Sequence, residues 1–476
     1  GGAMTAAQSR MGHLFRAGHC LVLLAVAGNF VLCCADTEVG LSGISDYALV
    51  ADAGSTGTRV YLFHRNDTQV HITSGGKGPA LSSFADKPAE ASAAVSEQLA
   101  AAAELIPKAL QGTVPVSIFA TAGMRLVPPA TQDAIYEGLR SGLLGGNFPF
   151  DKTRLQARTI SGREEGVFAL LAANYLAGHM QTSLEMASSS LMGVLDLGGS
   201  STQVAAPPDV STGDSLLPKL GRKDTFVRSF LSLGMERMRQ RTYEAFVEAA
   251  DEQLRELRAV PNPCSFYGLS EAGELWRGTG HAMDCERKVA ALLQMDQDSC
   301  SADVAKQDGG SSPAGDCMDG QPVPMPSGPS DDAKFFLISG FLYVTDFAKW
   351  WLDELCGAGQ CSPSMKALQQ PGLFTTPTID ELRAAAGIVC AASWADLSAI
   401  ANDPARRHKF TGERKIPHRC FELNYIIALL STGYRFGAQD RHFRIVEDIK
   451  GAEIEWTLGA FLHGQAAALV PEIVEL

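Results

Sequence analysis

The stretch DAGSTGTRV, residues 52–60, places one carboxylate and a run of glycine and hydroxyl residues between two apolar segments. The flanking segments, YALVA (47–51) and VYLF (60–63), have the composition of buried strands. Glycine and small polar residues between two such segments are typical of a tight turn. The stretch therefore predicts a strand, an acidic turn and a second strand.

The same pattern occurs a second time, 144 residues further along the chain, where residues 196–204 read DLGGSSTQV between apolar runs. A repeat spaced this widely is not the signature of a solenoid, whose units are short. It predicts two similar half-molecules, each carrying one such turn. A single turn of this kind is equally well explained as a plain hairpin, and only the repetition argues for more.

Strand and helix patterns alternate around the two turns, which predicts an α/β fold with mixed or parallel sheets. Ser161 and Glu164 form a capping-box pair at a helix start. Strands are predicted within 47–73, 114–120, 154–160 and 191–206. Helices are predicted within 88–110 and 131–143, after residue 161, and in the apolar segments 335–355 and 420–436.

The N-terminal segment has the pattern of a secretory signal. Arg16 precedes the apolar run CLVLLAVAGNFVLCCA (20–35), which ends in small residues. The run is shorter than the roughly 20 residues that span a bilayer. We interpret residues 1–35 as a cleavable signal peptide, with a retained membrane anchor as the second interpretation. The protein is then expected to be secreted or luminal, and Asn66 in Asn-Asp-Thr is a possible glycosylation site.

Charge and cysteine content limit the possible partners and fold. The formal net charge of −13 argues against a nucleic-acid partner, which requires a basic surface. Eight of the 11 cysteines follow residue 260. An even number in a secreted chain predicts up to four disulfides, and no pair has the spacing of a zinc site. These eight are Cys264, Cys285, Cys300, Cys317, Cys356, Cys361, Cys390 and Cys420.

The chemistry of the repeated turn points to phosphate. A glycine-rich turn exposes backbone N–H groups that can surround phosphate oxygens, and its hydroxyl groups add donors. A carboxylate repels phosphate but holds a divalent cation, commonly through water. Asp52 and Asp196, one in each half, therefore predict a metal–phosphate site in a cleft between two lobes. The Walker A and dinucleotide-binding patterns are absent from the sequence.

Paired Asp-Gly loops resemble those of the superfamily of actin, sugar kinases, Hsp-type chaperones and exopolyphosphatases. Within it, the chain is most similar to the apyrase family, the nucleoside triphosphate diphosphohydrolases. Four specific blocks and a looser fifth resemble the conserved regions of that family. They are ADAGSTGTRVYLF (51–63), IFATAGMRL (118–126), ISGREEGVFALLAANYL (160–176), VLDLGGSSTQV (194–204) and FFLISGFLYVTDF (335–347).

The resemblance implies two actin-like (RNase H-like) lobes with mixed sheets flanked by helices and an active site in the cleft between them. The implied N-terminal lobe covers residues 45–160 and is completed by 446–476, and the implied C-terminal lobe covers 161–445. The implied reaction removes terminal phosphates from nucleoside tri- or diphosphates with Ca²⁺ or Mg²⁺. An exopolyphosphatase-type hydrolase and a non-catalytic, nucleotide-binding actin-like protein remain as alternatives.

The resemblance also implies a role for individual residues. Glu165 would activate the attacking water, although without the resemblance it is better explained as a first-turn glutamate favoured by the helix dipole. Asp52 and Asp196 would hold the metal through water. Thr121, Ser201 and Gln203 would position the attacking water. The implied phosphate-binding residues are Ser55, Thr56, Gly57, Thr58, Ala122, Gly123, Arg125, Gly198, Gly199 and Ser200.

Three further expectations concern the base, the disulfides and position 57. Phe341, Tyr343 and Trp456 are candidates for stacking on a nucleobase, although aromatic residues in apolar segments more often belong to a core. Gly57 stands where animal cell-surface members of the family usually carry a bulkier residue. The pairs implied by the resemblance are Cys264–Cys300, Cys285–Cys317, Cys356–Cys361 and Cys390–Cys420.

Overall fold

Two five-stranded sheets organise the chain. The computed structural model describes residues 46–66, 69–188, 190–221, 224–271, 273–306, 318, 322–326, 333–401 and 403–469. The strands are β1 (Tyr47–Gly54), β2 (Gly57–Asn66), β3 (Gln69–Gly78), β4 (Val116–Ala120), β5 (Leu155–Thr159), β6 (Gly193–Leu197), β7 (Ser201–Ala206), β8 (Phe226–Leu231), β9 (Val260–Asn262), β10 (Trp276–Gly278), β11 (Phe335–Ser339) and β12 (Phe443–Ile445).

Helices cover the sheets and connect their strands. They are α1 (Ser96–Glu104), α2 (Lys108–Gln111), α3 (Ala122–Arg125), α4 (Pro129–Gly145), α5 (Gly162–Ala177), α6 (Met235–Ala249), α7 (Glu252–Glu256), α8 (Ala282–Lys306), α9 (Gly340–Gly357), α10 (Pro363–Leu368), α11 (Ile379–Cys390), α12 (Trp394–Ala401), α13 (Arg419–Ala428) and α14 (Trp456–Leu469).

The two sheets have the same topology. The first has the order β3-β2-β1-β4-β5 and the second the order β12-β11-β6-β7-β8, which is the same arrangement read from the other edge. In each, three antiparallel strands joined in sequence are followed by two strands parallel to the first. The repeated sequence forms the first turn of each sheet. The predicted pair of similar half-molecules in an α/β fold is therefore confirmed.

A layer of two helices, α5 and α14, lies between the sheets. One hydrophobic cluster combines their side chains with residues from both sheets, including Val50 and Phe63 of the first and Val194 and Phe336 of the second. The rings of Phe63 and Phe461 stack with their centroids 5.0 Å apart. Separate cores cover the outer face of each sheet. The shared layer fixes the two repeated turns relative to one another.

Local sequence signals predicted most elements correctly. The hairpins at both repeated turns are confirmed, as is the capping box at the start of α5, where Ser161 and Glu164 exchange backbone and side-chain hydrogen bonds. The prediction that 335–355 is wholly helical is wrong, because its first five residues form β11. That strand is buried between β6 and β12, and a strand buried on both faces shows the same continuous apolar run as a buried helix.

Three disulfides lie among the described residues. Cys356–Cys361 and Cys390–Cys420 are present as the resemblance implied. Cys264 bonds to Cys285, so the implied pairs Cys264–Cys300 and Cys285–Cys317 are wrong. Cys285 lies in the first turn of α8, with its Cα 4.8 Å from that of Cys264. Position 300 is about four turns further along α8, roughly 20 Å away along the helix axis.

Several expectations fall outside the described part of the chain. These are the signal peptide at residues 1–35, positions 67 and 68 of the glycosylation motif that begins at Asn66, and Cys317. The boundaries expected for the two lobes remain predictions. Within the described ranges, no helix combines the length and the apolar character that crossing a membrane requires.

Candidate active site

The two repeated turns meet in one hollow. A Cβ atom placed on Gly199, in the second turn, would lie 3.3 Å from the Ser55 hydroxyl oxygen of the first turn. Gly123, at the start of α3, approaches the same serine so closely that a Cβ there would lie 2.8 Å from its Cα atom. Ser55, Gly123 and Ser200 line a cavity of about 930 Å³. Glycine is needed at position 123 because the backbone of Ser55 occupies the space of a side chain.

Asp52 and Asp196 stand at equivalent positions of the two hairpins, directly before the turns. In each carboxylate the Oδ1 atom is buried and has no hydrogen-bond partner among the described residues. Burial raises the pKa of both, that of Asp52 well above its usual range, where the negative charges of Glu455 and Glu165 add to the effect. A hydrogen bond with Ser339 partly opposes the rise in the pKa of Asp196.

These carboxylates fit a hard divalent cation, which prefers oxygen ligands. Buried charged oxygens without partners are costly unless a cation or a donor compensates them. Across the described ranges, no group of three or more His, Cys, Asp or Glu side chains is arranged to hold a metal ion. The observation that favours a cation here is the pair of buried carboxylate oxygens without partners.

Glu165 lies in the first turn of α5 and is only 7% exposed. Its Oε2 atom accepts hydrogen bonds from the guanidinium of Arg125 and from Gln203 Nε2, the latter at 3.0 Å. Burial raises the pKa of Glu165 to about 7, although the positive charge of Arg125 opposes the shift. A carboxylate with a pKa near neutrality is suited to accept a proton from water.

Gln203 connects Glu165 to two serine hydroxyls. Its Nε2 atom lies 2.9 Å from Ser201 Oγ and 3.0 Å from Ser229 Oγ. Since an amide nitrogen carries two hydrogens, two of its three acceptors can be engaged at once. Ser229 also accepts from Arg125 Nη1 at 3.3 Å. A Cβ on Gly162 would lie 2.1 Å from Ser229 Oγ. Glycine at position 162 therefore leaves room for the side chain of Ser229.

Of the predicted phosphate-binding residues, the structure brings Ser55, Gly123, Gly199 and Ser200 to the hollow, whereas Thr58 and Arg125 are engaged elsewhere. Thr58 is fully buried and its hydroxyl donates to the carbonyl of Pro79 at 2.7 Å, so its expected contact with phosphate is wrong. Arg125 directs its guanidinium to Glu165 and Ser229. It therefore positions the glutamate, and the structure gives no reason to count it among phosphate ligands. Thr121 precedes α3 and is buried.

Only one of the three candidate aromatic residues is available to a base. Phe341 is fully buried in the core of the second sheet, and Trp456, 5% exposed, stacks on Phe168 in the middle layer. The expectation is wrong for these two residues, because they offer no surface to a ligand. Tyr343 is 37% exposed, and its ring centroid lies 5.3 Å from that of Phe410.

Sequence reasoning missed several residues that lie beside the predicted site residues. Glu455, directly before α14, has its pKa raised to about 7 by burial and by the negative charges of Glu453 and Asp196. Its position next to the C-terminal block containing Trp456 was the only available signal. Lys77 and Phe410 come from a strand and a loop without any motif. Ser229 lies in β8, where only the pairing with β7 places it beside Gln203.

Comparison with known proteins identifies relatives along nearly the whole chain. The model of the GDA1/CD39 (nucleoside phosphatase) family matches residues 41–470. The nucleoside-diphosphatase mig-23 of Caenorhabditis elegans is 27% identical over 460 residues, which cover 88% of this chain and 76% of that protein. The Golgi apyrase of Saccharomyces cerevisiae is 25% identical over 476 residues, covering 87% of this chain and 70% of the yeast protein.

The fold has a counterpart among solved structures. A nucleoside triphosphate hydrolase from Neospora caninum superimposes with a TM-score of 0.60 and 16% identity, covering 89% of this chain and 93% of the other. At that identity the likeness concerns the fold alone. The family match extends over both sheets and both repeated turns. The chain therefore belongs to the GDA1/CD39 (nucleoside phosphatase) family.

Proposed function

We propose that this nucleoside phosphatase hydrolyses the terminal phosphate of nucleoside tri- and diphosphates by in-line attack of a water that Glu165 activates. One observation carries the assignment to Glu165. Its buried carboxylate, with a pKa of about 7, is held by Arg125 and Gln203 and lies near enough to Asp52 and Asp196 to interact with their charges. A proton acceptor of this kind is what hydrolysis by water requires.

The chain's own residues would act as follows. Backbone N–H groups of the two turns and the hydroxyl of Ser55 bind the phosphate oxygens and fix the phosphorus atom. Gln203 and Ser201 orient the water towards phosphorus, and Glu165 accepts its proton. As the new P–O bond forms, the bond to the bridging oxygen breaks and the shortened nucleotide leaves. The fixed dipoles of the turns stabilise the charge on the equatorial oxygens.

We propose Ca²⁺ or Mg²⁺ as the cation, held through water by Asp52 and Asp196. It would supply neutralisation of the negative charge that the phosphate oxygens carry. The two buried, unpartnered carboxylate oxygens support this role. Electrostatic balance supports it as well. Burial raises the pKa values of Asp52 and Glu455, the negative charges of neighbouring carboxylates, Asp196 among them, raise these values further, and the positive charge of Arg59 offsets the rises only in part.

For the nucleoside we propose contact with Tyr343, on the exposed face of its pair with Phe410. Tyr343 lines a small hollow with Ser339 and Glu455, beside the residues that surround Asp196. Aromatic rings suit the flat face of a base.

We also propose that the lobes divide at residues 160/161 and 445/446. We propose a secreted or luminal location, which the signal-like segment 1–35 supports; one relative is named as a Golgi apyrase.

The decisive experiment measures phosphate release from ATP, ADP, UDP, GDP and polyphosphate with Ca²⁺, Mg²⁺ or EDTA. Glu165→Gln keeps the shape of the side chain but removes the proton acceptor, so kcat should fall by about 10²–10⁴-fold while nucleotide binding persists. Glu164→Gln is the matched control. Glu164 precedes Glu165 on α5 and accepts hydrogen bonds from Arg158 and from the backbone N–H of Ser161. The Glu164→Gln variant should keep kcat within about threefold of the original protein.

The alternatives give different results in the same assay. An exopolyphosphatase releases phosphate from polyphosphate and leaves every nucleotide intact. A nucleotide-binding protein without catalysis binds ATP and turns it over equally slowly before and after the Glu165→Gln substitution. A fall in kcat of less than about tenfold in that variant would contradict the assignment of the base.

A further inference from the structure

The space above Gly57, in the first turn, is filled by a lysine from the neighbouring strand. A Cβ atom on Gly57 would lie 2.2 Å from Lys77 Cε and 3.0 Å from Lys77 Cγ. The φ angle of Gly57 is +155°, which also disfavours a side chain. Lys77 belongs to β3, one residue from the register pair Thr58–Gly78. The lysine therefore crosses the turn where a residue at position 57 would otherwise project.

The crossing places the lysine's charge at the phosphate-binding turn. Lys77 Nζ lies 3.3 Å from the hydroxyl oxygen of Thr56, beside Ser55. Among the described residues, Lys77 makes no ion pair with a carboxylate. Its side chain is exposed. Its ammonium group thus has hydrogens to spare for another acceptor, since a lysine carries three donors and no acceptor.

Other positive charges surround this position. Partial burial lowers the pKa of Lys77 first, and the nearby Arg59 and Lys415 lower it further, while Glu236 and Asp52 oppose the shift. Lys415 is neutralised by its ion pair with Glu236, whereas Lys77 is not. Like charges held close together are destabilising. A bound anion between them would remove that cost, and the adjacent backbone turn is itself suited to phosphate.

We propose that Lys77 binds the phosphate chain of the substrate, reaching it through the space that Gly57 leaves free. The inference rests on the proposed function and adds a residue that lies outside every repeated or family-like block. Backbone N–H groups have fixed positions, but a lysine is a mobile point charge on a flexible stem. Lys77 would therefore recognise the charge of the phosphate chain and contribute little to recognition of the nucleoside.

The test is equilibrium binding of α,β-methylene ADP, a non-hydrolysable diphosphate, measured by calorimetry with Mg²⁺ present. Lys77→Met should weaken binding roughly tenfold, as expected for loss of a charge-assisted hydrogen bond. Lys77→Arg, which keeps the charge, should bind within about threefold of the original protein. Lys108→Met, which removes an exposed lysine of α2, is the matched control and should bind unchanged.

Adenosine, which carries no phosphate, separates a phosphate contact from a general structural effect. Lys77→Met should bind adenosine as the original protein does, whereas a distorted site would bind both ligands more weakly. If the Met variant does not fold, Lys77→Gln replaces it, because glutamine keeps a donor without the charge. Affinity for the analogue within about twofold in the variant would overturn the inference, as would absence of analogue binding by the original protein. Failure of the original protein to release phosphate, with Lys77-dependent binding intact, would instead contradict only the proposed hydrolysis.

Discussion

The two repeated turns have the same strand–turn–strand arrangement and differ in the side chains that surround them. In the first, Asp52 pairs across the hairpin with Arg59, and Lys77 adds a second positive charge. In the second, Asp196 pairs across the hairpin with Gln203, which contacts Glu165. The same position of the repeat is thus a cation in one half and a neutral amide in the other. Under the proposed function, the first half supplies positive charge for the phosphate, and the second supplies the groups that orient the water.

Substitutions at that one position of the repeat, made separately in each half, test the comparison most strongly. Gln203→Leu removes the hydrogen bonds to Glu165 and Ser201, so kcat should fall about 10²-fold because the base and the water lose their orientation. Arg59→Gln, at the matching position, contacts neither group and should change kcat less than about fivefold. Steady-state kinetics with ADP measure both.

Thermal unfolding of both variants provides the control, since Gln203 is buried and its loss could destabilise the sheet. A folded Gln203→Leu protein with kcat within about threefold of the original would show that the amide has no part in the reaction. Equal losses in the two variants would show that the halves do not divide the work as proposed.

The two aspartates should behave alike, in contrast to the position just considered. Asp52→Asn and Asp196→Asn each remove one negative charge from the proposed cation site. The Mg²⁺ concentration that gives half-maximal activity should rise by about tenfold in each variant, the size expected for loss of one charged outer-sphere partner. A titration of activity against Mg²⁺ measures this concentration. If either variant titrates as the original protein does, that aspartate does not hold the cation.

Local sequence patterns were sufficient to predict the features that lie within or next to the two repeated turns. Asp52 and Asp196 end strands that alternation and composition identify, and the Ser161–Glu164 capping box is a local signal. The repeat itself predicted two similar halves, and in both sheets the repeated turn joins the first and second strands of the same strand order. These features depend on residues close together in the sequence.

The residues that sequence analysis missed come from tertiary packing. Lys77 lies beside Thr56 because β3 pairs with β2, and Glu455 lies near Asp52 because the segment before α14 packs against the first sheet. Thr58 was assigned to phosphate since it lies in the turn motif, but its hydroxyl is turned to Pro79. The partner of Cys264 depends on where α8 begins in space, which cysteine spacing does not encode.

The smallest predicted effect concerns the cost of concentrating carboxylates between the halves. Glu455 and Glu165 have pKa values of about 7 in the folded protein, above the value of about 4.3 in an unfolded chain. Between these values the folded state binds more protons, so without a divalent cation its stability falls as the pH rises. The unfolding midpoint in EDTA should therefore be higher near about pH 5.5 than near about pH 7.5.

Glu455→Gln separates this electrostatic cost from other effects of pH. Removing one carboxylate should raise the midpoint at neutral pH in EDTA by about 1 °C, the shift that about 1 kcal/mol produces when the unfolding entropy is about 2 cal/mol/K per residue over 476 residues, and should reduce the difference between the two pH values. Glu447→Gln, which alters an exposed glutamate paired with Lys409, is the control. Added Mg²⁺ should stabilise the original protein more at neutral than at acidic pH, because the cation competes with protons for the same carboxylates. A midpoint that does not respond to pH in EDTA would mean that these carboxylates are balanced within the protein, and that the hollow between the two halves needs no cation to hold its charge.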